Sequence, residues 1–207
     1  QIIDSANPIA LQVKYNDLKH NFDRGKAYPD LQLKHGKALQ MVEAAIEECS
    51  KVSLYQGPAD PHLEIAIFAC GCFWGTQHQF EKAPGVVRTL AGYTGGPEEC
   101  PTYADVRDHR THHVEAVIVE YDPKLTDYMS LCKLFFEIHD PAQTDGVGPD
   151  LGPQYRSCIF YRNSVQKAVA EEVMQILRDK GDEVNTLLLP EEKFYIGEAY
   201  HQQYYAK

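Results

Sequence analysis

The chain lacks any apolar run of the ~18 to 20 residues that a membrane-spanning helix requires; its hydrophobic segments are short and broken by Gly and Pro. It is also short of positive charge, with 20 Lys and Arg against 30 Asp and Glu and a net charge of -10. Nucleic acid and anionic membrane surfaces both need a cationic footprint, so neither is expected as a partner. No Cys-x-x-Cys pair occurs, although there are six cysteines: Cys49, Cys70, Cys72, Cys100, Cys132 and Cys158. Spread over 207 residues, they make neither a zinc ribbon nor a disulfide scaffold. A reducing compartment is the simpler setting. Repeats, low-complexity tracts and a visible signal peptide are absent too. The expected location is cytoplasmic, or organellar if a leader has been removed, since the sequence begins at Gln1 rather than Met.

What is there suffices for one domain with an extension: 43% hydrophobic and 11% aromatic residues can build a sizeable core. Residues 1–62 read as a helical N-terminal extension and linker. Leu39, Val42, Ile46 and Cys49 share one helical face, and Gly57-Pro58 and Pro61 close the segment. From residue 63 to 207 the elements alternate. The pattern predicts strands over 64–69, 86–93, 113–121 and 156–161, and helices over 73–82, 127–138 and 164–179. Cys132 and Cys158 fall in apolar stretches and are expected in the core. The order β-α-β-β-α-β is that of an α+β, ferredoxin-like split βαβ sandwich. An irregular C-terminal tail follows, with a short strand near 186–189 and the aromatic-rich end Tyr200 to Tyr205. Long loops in compact domains are usually functional, which directs attention to the segments 93–112 and 140–154.

Chemistry concentrates at Gly71-Cys72-Phe73-Trp74-Gly75, where the strand 64–69 passes into a helix. A thiol at a helix N-terminus faces unpaired N–H groups and the helix dipole, which favour the thiolate. Phe73 and Trp74 offer apolar walls beside the sulfur. The competing reading is a plain buried cysteine with two core aromatics. Glu115 shares a strand face with Val117, Val119 and Tyr121. A carboxyl in such surroundings keeps its proton to higher pH and can act as a general acid; the alternative is a strand-end glutamate that reaches solvent. Tyr93 and Tyr155 stand at strand ends, where phenols can donate to a polar substrate oxygen. Asp140, in His139-Asp140-Pro141, caps a turn or organises a site. His109, His112 and His113 with Cys70 or Cys72 match no common zinc ligand set, but a metal-binding or redox-sensing module without turnover stays open. A cysteine hydrolase fits poorly, because it needs a histidine base beside the thiol.

Taken in order, seven segments resemble the methionine sulfoxide reductase A family. They are Gly71 to Gly75, Gly92-Tyr93-Thr94-Gly95-Gly96, Pro101-Thr102-Tyr103, His113 to Val117, His139-Asp140-Pro141, Gln154-Tyr155-Arg156-Ser157 and Tyr200-His201-Gln202-Gln203-Tyr204. They cover residues 63–207 and leave the extension outside the resemblance. The resemblance implies a thiol-dependent oxidoreductase, a peptide-methionine (S)-S-oxide reductase acting on free and protein-bound methionine-S-sulfoxide. Cys72 would attack the sulfoxide sulfur and Glu115 would protonate the oxygen held by Tyr93 and Tyr155. Phe73 and Trp74 would cradle the S-methyl group, and Asp140 would position substrate or water. Methionine would leave and Cys72 would remain as a sulfenic acid. No bound cofactor or metal is implied; reducing equivalents would come from thioredoxin, glutaredoxin or a small thiol. Many members carry a resolving cysteine after the Tyr-His-Gln-Gln-Tyr run, whereas this sequence has none there. Cys100, in a glycine-rich loop, is the first internal candidate for that task and Cys70 the second. A further departure is His112, where the family commonly has Gly.

Overall fold

A computed structural model describes residues 7–24 and 29–206. Residues 1–6 and 25–28 of the expected extension, and Lys207 of the tail, lie outside the described residues. Two helices come first, α1 (Pro8–Arg24) and α2 (Pro29–Lys51), followed by the two-residue strand β1 (Ser53–Leu54). The succession continues with β2 (Glu64–Ala69), α3 (Phe73–Phe80), β3 (Val86–Thr94), the short α4 (Tyr103–Arg107) and β4 (Val114–Tyr121). Then come α5 (Tyr128–Glu137), a small hairpin β5 (Gly146–Val147) and β6 (Asp150–Leu151), and β7 (Cys158–Tyr161). The helix α6 (Ser164–Asp179) and the strands β8 (Leu187–Pro190) and β9 (Tyr195–Ile196) complete the chain.

The fold is mixed α+β around a mostly antiparallel sheet of order β1-β9-β3-β4-β2-β7-β8, in which only β7 and β8 run parallel. The central strand β4 is buried along its whole length, so both of its faces pack. Period-two alternation divides the side chains accordingly. Ala66, Phe68, Val117, Val119 and Ile159 face a core shared with Phe80, Leu131, Phe135 and Val173 of the helices. Ile65, Ile67, Ala69, Ala116, Ile118 and Phe160 form a second apolar layer with Phe194 on the other face. Cys132 and Cys158 are buried in these two layers, as their apolar context requires.

Helix starts follow their capping signals. Asp127 accepts from the Ser130 N–H, Asn163 from Val165 and Gln166, and Thr102 closes a capping box with Asp105. The hairpin β5–β6 and the short strands β1 and β9 have no counterpart in the sequence reading. Each has two residues, too few to generate a periodic signal. Helices α1 and α2 pack on one another through Leu11, Leu18 and Val42, a small cluster separate from the two sheet layers. β1 pairs with β9, which in turn pairs with β3 at Gly92 and Tyr93. Gly92 is indispensable there, because a Cβ at that position would lie 2.2 Å from the Tyr195 carbonyl oxygen.

Candidate active site

The backbone between β2 and α3 sets the site. Gly71 turns the chain with φ +76, a conformation that side chains disfavour, and its N–H donates to the Tyr155 carbonyl at 3.2 Å. Cys72 then takes an extended conformation as the N-cap of α3, and its thiol is half-buried. The N–H groups of Trp74 and Gly75 point toward the sulfur and favour the thiolate, without closing a cap hydrogen bond. Burial opposes them, joined by the Glu115 and Asp150 carboxylates, and the thiol is pushed up to about 11. The helix start thus favours the thiolate, as the sequence argument has it, but burial and the two carboxylates outweigh it. Desolvation by burial is the largest of these effects and exceeds what the N-terminus of an eight-residue helix supplies.

Glu115 lies on β4 directly opposite Tyr93 of β3. It is 2% exposed, so it does not reach solvent as a strand-end glutamate would. Its Oε2 accepts the Phe73 N–H at 3.0 Å. Burial raises its pKa to about 7, against the lowering effect of that hydrogen bond. The carboxyl is thus poised to carry a proton at neutral pH. Tyr155 and Tyr103 both feel the charges of Glu115 and Cys72, which places the two phenols around the same centre. Tyr93 is buried, and its hydroxyl is already donated to Glu198 at 2.7 Å. The other oxygen of Glu198 accepts the Tyr103 N–H at 2.8 Å, so one carboxylate braces both tyrosines.

The C-terminal tail completes the wall. Trp74 donates its indole N–H to His201 Nδ1 at 3.0 Å and stacks on Tyr204, ring centroids 3.7 Å apart and planes 4° from parallel. Phe73 is buried against Tyr93 and His201. Gln202 accepts from the Ala91 N–H and donates to the Ala91 carbonyl, pinning the tail to the edge of β3. These contacts account for His201, Gln202 and Tyr204 of the tail.

Asp140 is exposed and accepts the Ala142 N–H at the turn, which is the capping alternative of the sequence reading. The carboxylate that acts on Cys72 and Glu115 is Asp150, on β6 beyond the turn glycine Gly148. Sequence reasoning missed Asp150 and Glu198, and it named Tyr103 and His201 only within matching segments, without a role. A capping box before Tyr103 was there to be read, but nothing local marks Asp150 or Glu198 as facing the thiol. Cys70 is buried against the Thr76 hydroxyl and pushed up to about 12 by desolvation. Cys100 is not a free loop thiol: it is disulfide-bonded to Cys49 at the end of α2. His113 accepts from the Gly96 N–H and His112 pairs with Glu98 at the exposed rim.

The family model for peptide methionine sulfoxide reductase matches residues 64–207. The chain belongs to that family. Peptide methionine sulfoxide reductase MsrA of Methanosarcina acetivorans is 45% identical over 157 residues, covering 74% of this chain and 83% of that protein. The MsrA of Dickeya dadantii is 38% identical and covers 90% of each, so the similarity reaches into the segment before residue 63 that the motifs left out. Among solved structures, Mxr1 from Saccharomyces cerevisiae in reduced form superposes with TM-score 0.67 at 32% identity, covering 74% of this chain and 89% of that one. Mxr1 in complex with Trx2 gives 0.51 at 25% identity, covering 72% and 90%. Every strand of the sheet except β1 falls within the matched reductase segment, as does the Cys72 turn.

Proposed function

We propose that this chain is a thiol-dependent peptide-methionine (S)-S-oxide reductase and that Cys72 carries the reaction. One observation supports this above the rest. The residue after the thiol hydrogen-bonds a carboxyl whose pKa lies near 7, so nucleophile and proton donor are held as one unit. In the reaction the Cys72 sulfur attacks the sulfoxide sulfur while Glu115 protonates the oxygen, which cannot leave sulfur as a dianion. The proton lost by the thiol restores Glu115. Oxygen ends on Cys72 as the sulfenic acid and methionine is released. Of the phenols, Tyr103 and Tyr155 suit the oxygen-holding role better than Tyr93, whose hydroxyl is spent on Glu198. Trp74, with Phe73 behind it, would border the S-methyl group. Asp150 is better placed than Asp140 to act on the thiol and the carboxyl.

With Cys100 paired to Cys49 and Cys70 buried, an incoming reductant is the simplest way to reset Cys72. Its thiolate displaces the sulfenic hydroxyl as water and forms a mixed disulfide, which the second thiol of a dithiol resolves. A thioredoxin-type protein fits that chemistry, and the yeast relative was solved with Trx2; glutaredoxin or a small thiol can serve likewise. No resident cofactor is needed. The catalytic unit is assigned to residues 63–207, with 1–62 as its extension. The spatial order β3-β4-β2-β7 with α3 and α5 as crossovers supports the ferredoxin-like split βαβ description. A cytoplasmic setting is in keeping with four free thiols. The test is to mix fully reduced protein with one equivalent of methionine-S-sulfoxide and follow methionine release and oxygen on Cys72. Absence of methionine, or equal release by Cys72→Ser, would end this reading.

A further inference from the structure

The disulfide between Cys49 and Cys100 has no part in the chemistry at Cys72, yet it joins two pieces of chain 51 residues apart in sequence. On one side stands the helical pair α1–α2, whose apolar cluster is made of its own residues: Leu11, Leu18 and Val42 with Tyr15, Leu39 and Ile46 around them. On the other side runs the loop from Gly95 to Thr102, which leads directly into Tyr103. The seam between them is open rather than packed. A cavity of about 580 Å³ lies between α2 and the loop, lined by Ala45, Glu48, Cys49, Cys100, Thr102 and Arg110. A second, of about 420 Å³, opens on the other side of the disulfide between Leu11, Ile46, Glu99 and Tyr195. Both sulfur-bearing residues line both cavities, and both are only half-buried, whereas Cys70, Cys132 and Cys158 are buried.

The loop is held on either flank of Cys100, and at Cys100 by a backbone N–H donated to the Tyr195 hydroxyl. Glu98 accepts from the His112 N–H, Glu99 pairs with Lys193 and accepts the Tyr195 hydroxyl, and the Tyr103 N–H is donated to Glu198. Cys100 sits between these anchors with φ +54, a left-handed conformation that non-glycine residues rarely adopt without an external restraint. The covalent restraint on it is the bond to Cys49. After Cys49, α2 ends at Lys51 and the chain enters the two-residue strand β1, which pairs with β9.

We propose that Cys49 and Cys100 form a second site of thiol–disulfide exchange, a reducible clamp that fastens the helical extension to the loop carrying Tyr103. A dithiol protein of the thioredoxin class is the matching reductant. Its first thiolate attacks one sulfur of the pair, making a mixed disulfide and freeing the other as a thiolate. Its second thiol then displaces the remaining sulfur. The clamp gains two electrons and two protons as two thiols, and the reductant becomes a disulfide. Opening the clamp removes the tie across the cavities and lets the loop and α2 separate. A solvent-reachable disulfide in a reducing setting is of the redox-responsive kind.

The clamp is independent of turnover, so the test is made in the Cys72→Ser chain as well as in the native one. Each is prepared oxidised, treated with a reduced thioredoxin-class dithiol, and examined by thiol alkylation and by amide hydrogen exchange. The expected result is that Cys49 and Cys100 resist alkylation before reduction and label after it. Exchange in α2 and in residues 96–103 should rise severalfold on reduction, in both chains. The variants Cys49→Ser and Cys100→Ala should show the raised exchange without any reductant and no further response to it. Free Cys49 and Cys100 thiols in the oxidised protein, or exchange that ignores reduction and both substitutions, would overturn the clamp. Either result leaves the reductase reading intact.

Discussion

The Phe73 N–H donates to the Glu115 carboxyl at 3.0 Å, across the junction of α3 and β4. That one bond ties the helix that presents the thiol to the strand that presents the acid. Exchanging the acid for its amide keeps an oxygen acceptor for Phe73 and removes the proton donor. Glu115→Gln should therefore lower kcat by about 10² to 10⁴ while leaving KM within a fewfold of the native value. Steady-state kinetics with methionine-S-sulfoxide checks it; an unchanged kcat would remove Glu115 from the acid role.

The same carboxyl predicts a pH limb. With its pKa raised to about 7, Glu115 is protonated below neutrality and ionised above it. The chemical step, read in single turnover, should fall as pH rises through about 7, and Glu115→Gln should lose that dependence. A native profile flat from pH 6 to 8 would contradict it, the window following from the raised carboxyl.

Stability should move in the same direction as the rate. The unfolded carboxyl ionises near its ordinary 4.5 while the folded one holds its proton to about 7, so the folded state binds more protons between those values. Folding stability attributable to this group is full below 4.5 and is lost as pH rises through 7, by on the order of 3 kcal/mol. Urea unfolding at pH 5 and pH 8 should show the loss in the native chain and a smaller one in Glu115→Gln.

Tyr103 and Tyr93 should behave differently when each loses its hydroxyl. Tyr103→Phe removes a donor near the thiol and should cost kcat/KM about 10²-fold, as loss of one oxyanion donor does. Tyr93→Phe leaves the Glu198 oxygen without its 2.7 Å partner and should cost about 1 kcal/mol of stability with a lesser kinetic effect. Comparing both variants by kinetics and thermal unfolding separates them; the reverse ranking would return the oxygen-holding role to Tyr93.

Cys72→Ser should abolish methionine formation, while Cys132→Ser should retain turnover. Cys132 lies in the helix-side core, and its substitution should appear as a lower midpoint of unfolding rather than a lower rate. Parallel single-turnover and unfolding assays distinguish the two effects.

Much of this was legible in the sequence for physical reasons. β2, β4, α5 and α6 carry long enough apolar patterns to declare themselves, and Glu115 stands out as a charge on a buried strand face. Cys72 was marked by the glycines that make its turn. The thiol's electrostatics were only half legible, because the dipole is a local property, whereas the burial and the Glu115 and Asp150 charges that outweigh it are set by the tertiary fold. Asp150 was overlooked for Asp140 on similar grounds: a proline after an aspartate is visible in sequence, whereas a hairpin folding back over Gly71 is not. A Cβ at Gly71 would meet Val147 of that hairpin at 3.0 Å, a contact between residues that no local pattern connects. The pairing of Cys49 with Cys100 spans 51 residues and was equally hidden.

The glutamines that hold the tail have one more consequence. At the outer side of β3, beyond the short reach of β9, no strand lies beside Thr89 and Ala91 among the described residues. Side-chain amides and one backbone group take its place: Gln202 bonds both backbone groups of Ala91, the Gly197 N–H shares the Ala91 carbonyl, and Gln77 and Gln203 donate to the Thr89 carbonyl. An uncovered strand edge is a template for pairing with another chain. The tail that presents His201 and Tyr204 to Trp74 is therefore also the shield of that edge. A lesion that loosens it exposes an indole and an adhesive border in a single event, so damage at the reaction centre and self-association would arrive together.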